Sequence, residues 1–356
     1  MRRLVFVTQE YDPDATILGV TREWVAALAA RCAGVDVIAA GAPPGAAAGG
    51  PPNVRLFTLG KERGAGRVAQ AAALARTLAA TVPGAGAVFV HMVPRFAVLS
   101  APFTAVSRRR LALWYAQGGV DRSLRLAGRL VDDLLTPTRD SFPLGGPGIE
   151  RRLRITGHGI DTRRYAPDGS APASPPEVLA VGRLSPSKRY DRLLDAAALL
   201  PRGGWRLRIA GPPLYASDRA NADALRRQAA ALGIGERVEF AGAVPYARMP
   251  AAYRAAWVLA HTSGTGSLDK VVLEAMACGT PVLSTAASSR TAFGALAETL
   301  WCPTDTPPAF ATALAGMLDW SPRRRREIGL AAREVVLREH SLEGWAGRVA
   351  DLLGVG

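Results

Sequence analysis

Short apolar runs, each followed by loop residues and then a helical stretch, recur along the whole chain, and this alternation restricts the fold more than any other feature. Residues 3–7 read as a strand, 9–19 as a loop, 20–31 as a helix and 35–39 as a second strand, which is a βαβ unit and implies a parallel sheet. Further strands follow at 54–59, 87–90, 111–115 and 153–156, with a strand-edge position at 135–138, helices at 67–80 and 123–135, and a Pro- and Gly-rich loop at 41–52. Residues 157–177 hold Gly159, Pro167, Gly169, Pro172, Pro175 and Pro176 with little apolar pattern, and read as a linker. The alternation then restarts, with strands at 178–181, 205–210, 238–241 and 257–260 and helices at 190–200, 218–232 and 249–256. A chain of 356 residues exceeds one ordinary core and suits two domains of roughly 150 to 180 residues. The expected fold class is α/β, with domains at 1–156 and 178–338 that repeat one architecture, and 339–356 as a helix packing back on the first.

Hydrophobic residues make up 49% of the chain and charged ones 21%, which excludes a disordered protein. No clean apolar run is long enough to span a bilayer; the nearest, 77–94, carries two prolines and two glycines. Residues 4–7 turn polar at Thr8, which fits a buried strand and not a signal peptide. Cys32, Cys278 and Cys302 are too scattered for a metal set or a disulfide framework, so a reducing cytoplasm is expected. The formal charge is +14, with basic runs at 108–110, at Arg151, Arg152 and Arg154, and at 323–326. These are solvated surface by default; the alternative is attraction to an anionic membrane, which would place the protein at its inner face, or to a phosphorylated acceptor. Nucleic acid is not an expected partner, because no basic motif is interleaved with aromatics.

The most informative stretch is 262–281, which reads as loop, helix and turn after a strand. Gly264, Thr265 and Gly266 are loop chemistry, helix begins from about Ser267, and Gly279 with Pro281 stops it. Glu274 sits among Leu268, Val271, Val272, Leu273, Ala275, Met276 and Ala277, where a carboxylate is costly without partners. Either it forms an i, i+4 ion pair with Lys270, or Gly266, Lys270 and Glu274 form one face above a helix N-terminus that favours phosphate.

Two further positions lie at strand ends. The loop Gly182-Arg183-Leu184-Ser185-Pro186-Ser187-Lys188 carries two cations suited to flanking a diphosphate, and Lys188 is one of only three lysines in an Arg-rich chain. His91 follows an apolar strand and so stands at the carboxyl edge of a sheet, as a ligand contact or as a hydrogen-bonded structural residue. No G-x-G-x-x-G follows the first strand, which argues against a nicotinamide enzyme. Asp12-Pro13-Asp14 mimics a metal-binding pair but is more simply a proline turn.

Taken together, these motifs resemble the retaining glycosyltransferases of the GT-B fold, family 4. The resemblance rests on Gly182-Arg183-Leu184 with Lys188, Ile209-Ala210-Gly211, Val238-Glu239-Phe240-Ala241-Gly242 with Val244-Pro245, Tyr253, and Leu273-Glu274-Ala275-Met276-Ala277-Cys278-Gly279-Thr280-Pro281-Val282. Gly159-Ile160-Asp161 with Tyr165-Ala166-Pro167 looks like the family's hinge, and Tyr11 with Pro13, His91 with Pro94 and the 114–142 region match more weakly.

The resemblance implies two Rossmann-like domains facing across a cleft and a nucleotide-diphosphate sugar, UDP- or GDP-linked, as co-substrate. Arg183 and Lys188 would hold the diphosphate and neutralise the leaving group; Glu274 would accept from the ribose; Gly242 and Val244 would lie by the base. Gly182, Gly264, Thr265, Gly266, Ser267, Leu268, Asp269 and Lys270 would complete the donor site, with His91 and Gly19 near the sugar and Tyr11 and Gln117 on the acceptor side. No cofactor or metal is implied, and the acceptor, of lipid-linked or cell-envelope type, is not identified. Two positions depart from the family. The glutamate expected eight residues before Glu274 is Gly266, with Ser267-Leu268-Asp269 replacing Gly-Phe-Gly, so Asp269 or Lys270 would have to substitute; Gln117 stands where many relatives have histidine. A nucleotide-sugar epimerase and a non-catalytic nucleotide-sugar-binding protein are the competing readings.

Overall fold

The computed structural model describes residues 1–12, 19–201 and 203–356. Two compact units emerge, Met1–Gly159 with Ser341–Gly356, and Ile160–His340. The first holds β1 (Arg3–Glu10), β2 (Gly34–Gly41), β3 (Val54–Thr58), β4 (Ala85–His91), β5 (Arg110–Trp114), β6 (Asp133–Thr136) and β7 (Leu153–Ile155). They form one parallel sheet in the order β3-β2-β1-β4-β5-β6-β7. Helices α1 (Val20–Ala29), α2 (Arg67–Thr81), α3 (Pro94–Ser107), α4 (Arg122–Leu130) and the single turn α5 (Pro147–Glu150) connect the strands.

The period-two alternation of a strand explains why both faces of this sheet are covered. Leu4, Phe6, Ala87, Phe89, Ala112 and Trp114 point into one core with α1, while Val5, Val7, Val88, Val90, Leu111 and Leu113 point into the other with α2 and α3.

The second unit holds β8 (Glu177–Val181), β9 (Arg206–Ala210), β10 (Val238–Gly242), β11 (Val258–His261) and β12 (Val282–Ser284), parallel in the order β10-β9-β8-β11-β12. Its helices are α6 (Tyr190–Ala198), α7 (Ala216–Ala231), α8 (Met249–Ala255), α9 (Lys270–Ala277), α10 (Ala287–Phe293), α11 (Ala297–Leu300), α12 (Pro307–Leu318) and α13 (Pro322–Val335). The last helix, α14 (Leu342–Leu353), returns to the first unit, where Trp345 packs against Trp24 with ring centroids 4.0 Å apart and the planes tilted by 35°. In each sheet the strand order reverses beside the unit's first strand, between β1 and β4 and between β8 and β11. Ligands of open α/β sheets bind at the carboxyl ends of strands at such a point.

Three sequence expectations differ from the structure. Helix α3 is missing from the reading because Pro94 and Pro102 argue against a helix; Pro94 takes its first turn, where no amide donor is needed, and Pro102 faces outward. The helix expected at 123–135 stops at Leu130, since Asp132 turns to pair with the strand: its carboxylate accepts from the Leu111 amide, and its own amide donates to Leu111 O. Of the stretch read as a linker, residues from Ile160 onward count with the second unit, where Ile160 and Tyr165 are buried in the core and the Ile160 amide donates to His340 O.

Candidate functional site

Strand β8 delivers the loop that begins at Gly182. This loop lies so close to the turn after β9 that a Cβ on Gly211 would be 1.9 Å from Gly182 O. The Gly182 amide donates to Ala210 O, the Gly211 amide to Gly242 O, and the Tyr190 hydroxyl to Gly182 O at 3.1 Å. The neighbouring side chains are thereby set. Arg183 has its guanidinium 5.2 Å from the Tyr215 ring centroid and Nη1 3.4 Å from Asp218 Oδ2. Lys188 is mostly buried, with Nζ 2.5 Å from Asp269 Oδ2.

Strand β11 delivers the facing loop, and backbone contacts lock the two together. Thr262 Oγ1 donates to Lys188 O at 2.9 Å, and the Gly264 amide donates to Ser187 O at 2.9 Å. Ser263 and Thr265 share a hydrogen bond between their hydroxyls, and Ser267 and Leu268 are buried. Helix α9 starts at Lys270 rather than near Ser267, a correction with a clear cause. Asp269 is in an extended N-cap conformation, yet its side chain caps nothing; its Oδ2 instead takes Lys188 and, at 2.8 Å, His261 Nε2. Burial alone would raise the Asp269 pKa, but the Lys188 charge and the His261 contact overcome it and hold the carboxyl well below the usual range.

Gly266 has φ +74° with open space where a Cβ would sit. Any other L-residue there is strained by about 1–2 kcal/mol, so this backbone disfavours a carboxylate at 266. The nearest acid along the chain is Asp269, at the mouth of α9.

Glu274 takes the i, i+4 partner Lys270 and, in addition, a tyrosine hydroxyl. It is 4% exposed, accepts a 2.7 Å hydrogen bond from Tyr253 Oη at Oε2, and has Lys270 Nζ 3.6 Å from Oε1. Lys270 also lies 5.6 Å from the Tyr246 ring centroid, and Tyr165 packs on both Tyr246 and Tyr253. Burial, reinforced by the Glu274 charge, raises the pKa of Tyr165 and Tyr253, so both phenols stay protonated. Gly242 and Val244, at the end of β10, are half-buried.

In the first unit, His91 ends β4 and is 3% exposed. Its Nδ1 is 3.2 Å from Thr8 Oγ1, and its ring lies 5.0 Å from Trp24 and 5.6 Å from Trp114. Gly19 is buried at the start of α1. Tyr11, expected on the acceptor side, is 1% exposed in the core at the end of β1, while Gln117 is exposed on the loop after β5. Asp12 is described, but Pro13 and Asp14 of the acidic pair lie outside the described residues.

The basic runs are partly absorbed by structure. Arg110 and Arg154 pair with Asp133, Arg152 donates to Gly128 O and Val131 O, and Arg325 is buried against Ala256 O and Trp257 O. Among the described residues no helix is long and apolar enough to cross a membrane.

One residue at the site escaped the sequence reading. His261 ends β11, beside β8, as His91 ends β4, beside β1. The signal was the same in both places, a histidine directly after an apolar run; at 261 the flanking Thr-Ser-Gly loop drew the reading forward to the helix.

Residues 161–335 match the family described as Glycosyl transferases group 1. A D-inositol 3-phosphate glycosyltransferase of Acidothermus cellulolyticus is 33% identical over 64% of this chain and 53% of its own length. A GDP-mannose-dependent alpha-(1-6)-phosphatidylinositol monomannoside mannosyltransferase of Mycolicibacterium smegmatis is 33% identical over 55% of this chain and 54% of its own. The chain thus spans about half the length of these curated relatives. Among solved structures, the Anabaena HepE protein in complex with UDP and glucose superposes with a TM-score of 0.78 at 18% identity, over 99% of this chain and 100% of that one. Residues 161–335 thus carry the sequence pattern of the glycosyl transferases group 1, and the two parallel α/β units have the GT-B fold.

Proposed function

We propose that this protein is a retaining glycosyltransferase that moves a sugar from a UDP- or GDP-linked donor to a hydroxyl acceptor. The observation that carries the reading is the interlocked pair of loops at the carboxyl ends of β8 and β11. They bring Arg183 and Lys188 to the same edge as the mouth of α9, about one helical turn from Glu274. In this reading Arg183 and Lys188 bind the donor diphosphate. As the bond between the anomeric carbon and the diphosphate oxygen breaks, charge grows on the leaving group, and fixed cations stabilise it there more than in the ground state. The acceptor oxygen bonds to the anomeric carbon on the same face, and its proton passes to the departing diphosphate. Glu274, already oriented by Tyr253, accepts from the ribose hydroxyls. No metal or further cofactor enters this reading.

The names of the relatives support an inositol phosphate, free or carried by a lipid, as the acceptor class. Purified protein incubated with UDP-glucose, UDP-N-acetylglucosamine or GDP-mannose, each with inositol 3-phosphate or phosphatidylinositol vesicles, tests this by mass spectrometry. The expected result is one glycosylated product whose anomeric proton shows the donor's configuration. A product of inverted configuration overturns the retaining mechanism, and neither transfer nor donor hydrolysis with any combination overturns the activity.

A further inference from the structure

We infer that His261 is a positioning residue for the donor diphosphate, acting through Asp269 to set how much of the Lys188 charge the donor meets. The inference rests on the donor reading above. Lys188, the cation assigned to the diphosphate, is committed to Asp269 Oδ2 at 2.5 Å, and the same oxygen faces His261 Nε2 at 2.8 Å. One carboxylate therefore divides its charge between an ammonium and an imidazole. With His261 neutral, Asp269 and Lys188 cancel and the cluster offers a diphosphate no net charge. With His261 protonated, the cluster carries one positive charge, and the imidazolium competes with Lys188 for Asp269.

The far side of the ring accommodates both states. His261 Nδ1 is 2.8 Å from Ser284 Oγ, which also accepts from the Ala286 amide at 3.1 Å and lies 3.0 Å from Ser289 Oγ. When the Ser284 proton points to Nδ1, the ring is neutral and donates through Nε2; when it points to Ser289, Nδ1 must carry a proton to make its contact, and the ring is charged. A rotating hydroxyl thus lets the imidazole gain or lose a proton while it keeps its contact with Ser284.

The charged groups around this imidazole are few. Asp269 and Lys188 face it directly; the Tyr190 phenol, held on Gly182 O, has its pKa raised by burial and by Asp269; Arg189 and Arg192 are occupied by Asp305. From β12 and α10 the hydrogen bonds on this side run through the hydroxyls of Ser284 and Ser289, and Arg290 of α10 lies over the Trp301 ring. Histidine is the side chain in this set whose ordinary range covers neutral pH.

Calorimetry with UDP-glucose and GDP-mannose tests the assignment, because the diphosphate diester of a nucleotide sugar does not titrate near neutrality. Wild-type affinity for the accepted donor should rise roughly tenfold from about pH 8 to about pH 6, and His261→Gln, which keeps a neutral donor to Asp269, should abolish that slope. A wild-type affinity independent of pH, or a slope retained in the variant, overturns the role of His261 while leaving the donor reading intact. Binding of neither donor at either pH overturns both. Should the variant fail to fold, NMR of wild-type protein with labelled histidine supplies the second test: donor binding must shift one histidine midpoint to higher pH, by reciprocity of linkage, and no shift in any of the four refutes the inference.

Discussion

Gly211→Ala is the substitution whose cost the geometry fixes most tightly. The new Cβ would lie 1.9 Å from Gly182 O and 2.5 Å from Gly182 C, both backbone atoms that cannot rotate away. An ordinary carbon–oxygen contact is about 3.3 Å, so the turn after β9 and the loop after β8 must separate by more than about an ångström. The Gly182 to Ala210 hydrogen bond, at 2.9 Å, ties these two segments, and the Gly211 to Gly242 bond, at 2.8 Å, ties the turn to the end of β10. Overpacking against backbone costs about 1–3 kcal/mol, and losing one of these bonds adds about 1 kcal/mol. At about 2–4 °C per kcal/mol for a unit of this size, the second unit should melt roughly 5–15 °C lower in scanning calorimetry, with donor binding weakened because the displaced loop carries Arg183 and Lys188. Gly316→Ala is the control: it lies in α12 with nothing within 4 Å of the added carbon, and should be neutral or stabilising by up to about 1 kcal/mol. A Gly211→Ala protein melting within about 2 °C of wild type would refute the reasoning.

Glu274→Gln should keep the fold, since a neutral acceptor remains for the Tyr253 hydroxyl, yet weaken donor binding by about 1–2 kcal/mol, roughly 5- to 30-fold, because a charged acceptor for the ribose is lost; calorimetric affinity equal to wild type would remove Glu274 from the site. Asp36 is buried between Arg3 and Arg55, and although burial raises its pKa, the two arginines overcome this and depress it. Its contribution is therefore present above the unfolded carboxylate value, about 3.9, and lost as pH falls through the lower folded value. Asp36→Asn should destabilise by about 1–3 kcal/mol at neutral pH, by urea unfolding, with the difference shrinking in acid; a constant difference would contradict the assignment. All three thiols are buried and have raised pKa values, Cys278 to about 12, so native protein should resist alkylation until unfolded.

The sheet strands were legible because uniformly apolar runs are what two-sided burial requires, and β1, β2 and β4 differ from expectation only at their ends. Helix α3 was hidden by Pro102, which local propensity penalises but an outward position in the helix tolerates. At the site, the loop from Gly182 and the buried acid at Glu274 were readable because a cation pair on a glycine loop and a carboxylate in an apolar helix are both locally anomalous. What sequence alone left obscure was pairing. Asp269 looked like a helix residue, and only the fold, by joining the loops after β8 and β11, directs its carboxylate to Lys188 and His261. Tyr11, placed on the acceptor side by the resemblance alone, packs into the core at the end of β1, a burial that its flanking residues do not announce.

The central claim is that the edge formed by β8 and β11 binds the diphosphate of a nucleotide sugar through Arg183 and Lys188. Calorimetric titration of UDP-glucose and GDP-mannose into wild type and Lys188→Ala, with circular dichroism to establish that both are folded, tests it most directly. The account predicts saturable binding of one donor by wild type and at least about tenfold weaker binding by the variant; equal affinity in the two folded proteins would contradict it.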